Sequence, residues 1–69
     1  MERQPVSSSS LVSVGYDPSS EILEIEFKNG LIYRYFNVPL FEHERLMAAE
    51  SHGIYFNANV KDTYPFERA

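Results

Sequence analysis

The chain has 69 residues, ten acidic against six basic, a net charge of −4 and no cysteine. One small domain is therefore expected, without disulfides or thiolate metal sites, and its core must come from aromatic packing or from a partner. Scattered cations under an acidic balance argue against strong non-specific nucleic-acid binding. No apolar run reaches the roughly 20 residues that span a bilayer, and no basic segment followed by an apolar core marks a signal peptide.

Residues 1–10 are polar and end in four serines, which reads as a flexible tail. Leu11 to Tyr16 alternates, placing Val12, Val14 and Tyr16 on one face. Asp17-Pro18-Ser19-Ser20 is a turn. A second strand sets Leu23, Ile25 and Phe27 on one face and Glu24 and Glu26 on the other. A third follows after Lys28-Asn29-Gly30. A two-residue loop would put Arg34 on the apolar face. A three-residue loop with Gly30 at φ > 0 pairs Phe27 with Leu31, Ile25 with Tyr33, Leu23 with Tyr35 and Glu24 with Arg34, and sets Ile22 opposite Phe36. Burying an unpaired guanidinium is costly, whereas opposite charges across strands help, so the three-residue loop is preferred.

Pro39 suits the start of a helix. Leu40 to Glu50 holds good helix formers, with Leu40, His43, Leu46, Met47 and Glu50 on one side. Ser51 can cap a second helix from His52 to about Val60, after a break near Gly53. The alternation of Ile54, Phe56, Ala58 and Val60 also fits a strand, and both readings stand. Tyr64-Pro65-Phe66 pins the end of the chain by aromatic packing. The architecture expected is α+β: a three-stranded antiparallel β-meander followed by one helix and a short second helix. The domain spans 11–66, and 67–69 form a C-terminal tail.

The runs Val14-Gly15-Tyr16-Asp17, Leu23-Glu24-Ile25-Glu26-Phe27, Gly30, Tyr33-Arg34-Tyr35-Phe36, Val38-Pro39, Leu46, Ser51-His52-Gly53 and Tyr55-Phe56-Asn57 together resemble the KTSC domain family. The resemblance covers nearly everything from Ser10 to Pro65. It implies a small bacterial domain, found alone or as a C-terminal extension of some lysyl-tRNA synthetases, for which RNA binding has been suggested. His52 stands where lysine is frequent in that family, and Glu67 lies in a tail that is often basic.

Two functional readings follow. In the first, implied by the family, Tyr33 and Tyr35 stack on RNA bases, Arg34 helps them, and Lys61 and the helix-start amides near His52 hold phosphate. The same tyrosines read more readily as core residues, Arg34 as the surface partner of Glu24, and His52 as part of a plain helix cap. In the second, Ile22, Ile32 and Phe36 form an apolar patch on an otherwise charged sheet face, and a protein partner or a second copy docks there. His43 reads as a partly buried helix residue, and Glu21, Glu24 and Glu26 as a solvated face. No phosphate loop, nucleophile–base pair or metal-ligand spacing is present, so neither an enzyme nor a cofactor is expected. The composition is compatible with a cytoplasmic protein that has no membrane contact.

Overall fold

The computed structural model describes residues 1–69. The hairpin takes the register that charge and burial favour. β3 (Ile22–Phe27) pairs antiparallel with β4 (Ile32–Tyr35) through Leu23–Tyr35, Glu24–Arg34 and Ile25–Tyr33. The Phe27 amide donates to the Leu31 carbonyl (2.9 Å) across the loop. Gly30 has φ of 88° there, a left-handed backbone that a side chain would strain. β2 (Leu11–Asp17) flanks β3 on the other side.

The sheet is five-stranded rather than three-stranded. β1 (Arg3–Pro5) adds to β2, β5 (Phe66–Arg68) adds to β4, and the order is β1-β2-β3-β4-β5. β1 thus lies within the segment 1–10 expected to be a flexible tail, and β5 takes in 67 and 68. Both are tripeptides, too short for a periodic signal, and long-range contacts hold them. Arg3 bonds Ser13 and Glu24, and Phe66 stacks on Tyr33 and packs at a tilt against Tyr35.

α1 (Leu40–Ala48) and α2 (His52–Asn59) cover one face of the sheet. The core beneath them is Leu11, Val14, Leu23, Ile25, Tyr35, Val38, Leu46, Phe56 and Val60. Leu11 reaches it through a register shift between Leu11 and Ser13, which leaves Val12, expected on the core face, only half-buried. Residues 52–59 are helix, not strand, and the Ser51 side chain accepts from the Ile54 amide (3.2 Å) as an N-cap. Gly53 sits inside the first turn rather than at a break. A Cβ there would lie 2.5 Å from Ser10 Oγ, so glycine lets the helix start approach the serine segment.

The buried side of α1 also differs from its apolar stripe. Leu40 is exposed, and Glu42 is buried instead. Its carboxylate accepts from the Tyr55 and Tyr64 hydroxyls, tying α1 to α2 and to the segment before β5. Burial and the Glu42 charge push the Tyr64 phenol up to about 12. His43 stacks on Tyr16 with ring centroids 4.7 Å apart, and burial lowers its pKa against the opposing pull of Glu44.

The uncovered sheet face is not the solvated acidic surface expected. Glu24 is only 4% exposed. Arg34 Nε donates to its Oε1 (2.9 Å), and Arg3 Nη1 donates to its Oε2. Burial pushes this carboxyl up, but the hydrogen bonds and charges of Arg34 and Arg3 outweigh it, and the net shift is downward from 4.5. The folded chain therefore holds its proton less tightly than the unfolded chain. This contribution to stability is whole above the unfolded pKa and is lost as pH falls through the folded one. The melting temperature of wild type should fall below about pH 4, and that of Glu24→Gln should fall less steeply. Parallel declines in a circular-dichroism series would show that Glu24 is not the group responsible.

Candidate functional site

Alternation along β4 turns Tyr33 and Tyr35 to the helical face and Arg34 to the other. The Tyr33 ring lies 6.5 Å from Tyr35, and Phe66 of β5 packs 5.5 Å from each. Phe27 meets Tyr33 edge-on at 5.7 Å, and Phe56 of α2 meets Tyr35 edge-on at 5.3 Å. These rings, with Leu31, line a groove of about 420 Å³. Its polar margin is Ser10, Asn29, Asn57, Lys61 and Asp62. Lys61 and Asp62 arrive there because α2 ends by turning back toward β4, with the Lys61 amide donating to the Phe56 carbonyl (3.0 Å).

Of the residues expected to bind nucleic acid, Tyr33, Tyr35 and Lys61 meet in this groove. Arg34 and His52 do not. Arg34 belongs to the opposite face, bonded to Glu24, and His52 Nδ1 donates to the Leu46 carbonyl (2.9 Å) at the start of α2. Tyr35 is mostly core. Burial first, then the nearby Tyr33 and Asp62, push its phenol up to about 12. Tyr33 is half-buried and forms a wall.

The expected apolar patch is divided. Ile22 and Phe36 line a second concavity of about 660 Å³ with Arg34 and Glu67. Ile32 pairs with Glu26, beyond the Glu24–Arg34 row. All three are half-buried. Sequence reasoning gave Phe66 a pinning role and did not place it, Phe27 or Phe56 in a site. The aromatic density was visible, but their convergence depends on how α2 and β5 return to β4. No group of three or more side chains is arranged to hold a metal ion, and no helix is long and apolar enough to cross a membrane.

A crystal structure of a KTSC domain protein from Yersinia pestis matches with a TM-score of 0.94 and 40% identity, covering 99% of this chain and 96% of that one. An uncharacterized protein of Stutzerimonas stutzeri is 49% identical over 61 residues, 88% of this chain and 86% of its own length. A lysine–tRNA ligase of Nostoc sp. is 42% identical over 53 residues, which are 77% of this chain but only 9% of the ligase. The family model for the KTSC domain matches residues 7–64, a span that includes β4 and both helices and leaves out β1 and β5. With its fold and its β2-to-α2 segment both matched, the chain belongs to the KTSC domain family.

Proposed function

We infer that this chain is a non-enzymatic interaction module whose contact surface is the groove between β4, α2 and β5, and whose partner is a polypeptide segment. The observation that carries this reading is the groove's lining. Six of its residues are apolar or aromatic, and its one cation, Lys61, has Asp62 beside it. Such a lining suits an apolar or aromatic side chain better than a phosphate backbone, which needs a surplus of positive charge. Its titratable side chains are Tyr33, Tyr35, Lys61 and Asp62, which offer no nucleophile with a matched base. The interaction surface thus moves from the Ile22, Ile32 and Phe36 face to the opposite face of the sheet.

A second reading has single-stranded RNA in the same groove. The stacked rings of Tyr33 and Phe66 favour it, as does the presence of a similar segment within lysine–tRNA ligases. Tyr33 and Lys61 would then be the contacts, without Arg34 or His52.

The discriminating experiment has two arms on isotope-labelled protein. Peptides selected from a random display library should shift the Tyr33, Phe56 and Phe66 resonances, and Tyr33→Ala should weaken them by roughly ten-fold or more, as loss of a central aromatic contact does. A mixed single-stranded RNA pool at low salt should leave the spectrum unchanged. Salt-sensitive RNA shifts at Tyr33 and Lys61, with no selected peptide contacting the groove, would replace the first reading with the second.

A further inference from the structure

We propose that the outer edge of β4, with the aromatic groove beside it, docks an extended segment of another protein carrying a proline–aromatic–acidic–basic pattern, and that the chain's own Pro65–Arg68 is the resident occupant such a partner displaces. This rests on the groove reading above and names its partner.

What fits the site is visible in the resident. β5 runs antiparallel to β4 in the register Tyr35–Phe66, Arg34–Glu67 and Tyr33–Arg68. The Phe36 amide donates to the Pro65 carbonyl (2.8 Å), and the Ala69 amide donates to the Ile32 carbonyl (2.8 Å). Alternation then reads the segment on two faces. Phe66 goes down onto Tyr33 and Tyr35, and Glu67 goes to the other face opposite Arg34, where both line one concavity. Backbone bonds supply affinity in such strand addition, and alternate side chains supply selectivity.

The resident holds its place weakly. All three β5 residues are exposed, Phe66 by 55%, and none of their side chains makes a hydrogen bond or ion pair. The groove continues past Ile32, where the Ala69 amide bonds, along Leu31 to Phe27, Asn29 and Ser10, and a segment running the same way beyond that point would cover Leu31.

The test uses the full chain, wild type and Phe66→Ala, and a synthetic peptide Thr-Tyr-Pro-Phe-Glu-Arg-Val-Val. The peptide should bind Phe66→Ala roughly ten-fold more tightly than wild type, because a weakened resident leaves more of the edge open. It should slow amide exchange at Phe36, and the same peptide with alanine for phenylalanine should bind roughly ten-fold more weakly. If Phe66→Ala does not fold, Glu67→Arg takes its place, since it sets like charge opposite Arg34. Equal affinity for both proteins, or binding that leaves Phe36 exchange unchanged, overturns the proposal. Library peptides that contact Tyr33 without disturbing β5 or Phe36 overturn it alone and leave the groove reading standing. Absence of any peptide contact at Tyr33 overturns both. A concentration-dependent wild-type dimer with Phe36 protected assigns the edge to a second copy and overturns the separate partner.

Discussion

Leu46→Ala should leave little folded protein at 37 °C. Leu46 is 0% exposed and is the central point at which α1 meets the sheet-side core. Emptying such a position costs about 2–5 kcal/mol, the lost burial plus the cavity left behind. A core of this size, with no disulfide, supplies only about 3–5 kcal/mol. The substitution therefore removes most of the stability the domain has. Leu46→Met keeps the volume and should cost less than about 1.5 kcal/mol. Urea denaturation of the three proteins checks this. Coincident midpoints for alanine and leucine would mean that α1 contributes little to holding the fold.

Tyr35→Ala should be comparably severe, and for that reason it is a poor probe of binding. Tyr35 is 3% exposed, with Phe56, Phe66 and Tyr33 around its ring. Truncating a buried aromatic costs about 3–5 kcal/mol, and the groove floor would collapse with it. Tyr35→Phe keeps the ring and should melt close to wild type. Tyr33 differs in kind, because it is half-buried and walls the groove. The expected pattern is loss of fold for Tyr35→Ala, and retained fold with lost peptide contact for Tyr33→Ala. Thermal melts alongside peptide titrations measure both. A Tyr35→Ala protein that melts like wild type would show that this ring is not part of the core.

The hairpin was legible because several local signals agreed. Lys28-Asn29-Gly30 asks for a left-handed glycine, and Glu24 and Arg34 prefer to face each other across the strands. The first helix was legible from Pro39 and the helix-forming run after Leu40, and Ser51 offered a cap for a second. The choice between helix and strand for 52–59 was not legible, since Ile54, Phe56, Ala58 and Val60 alternate as a strand does while Phe56 and Val60 also stand one helical turn apart. Packing decided it, when Phe56 and Val60 entered the core one turn apart. β1 and β5 left no readable trace, because three residues cannot display a period and their ties are to residues ten or more positions away.

At the site, the alternation already separated Arg34 from Tyr33 and Tyr35. A single ligand lying on one sheet face could not touch all three, and that consequence follows from the strand reading alone. The meeting of Tyr33 with Lys61 and Phe66 is different. It depends on the path of the chain after α2, which no local pattern encodes. Glu42 was hidden for a related reason. Its partners Tyr55 and Tyr64 lie 13 and 22 positions further on, and before they are brought near, a glutamate in a helix reads as a solvated residue.

The two outer strands also bear on how this sheet behaves in a crowded solution. Residues 7–64 by themselves would present β2 and β4 as open edges, each able to pair with the edge of another molecule and begin a growing stack. Here those edges are closed by tripeptides that end such growth. β1 carries Arg3 and Pro5, and the proline has no amide hydrogen to offer. β5 carries Glu67 and Arg68. Short, charged and interrupted strands make poor templates for edge-to-edge polymerisation. The segments that look least like structure in the sequence are therefore the ones that keep an aromatic-rich sheet from aggregating.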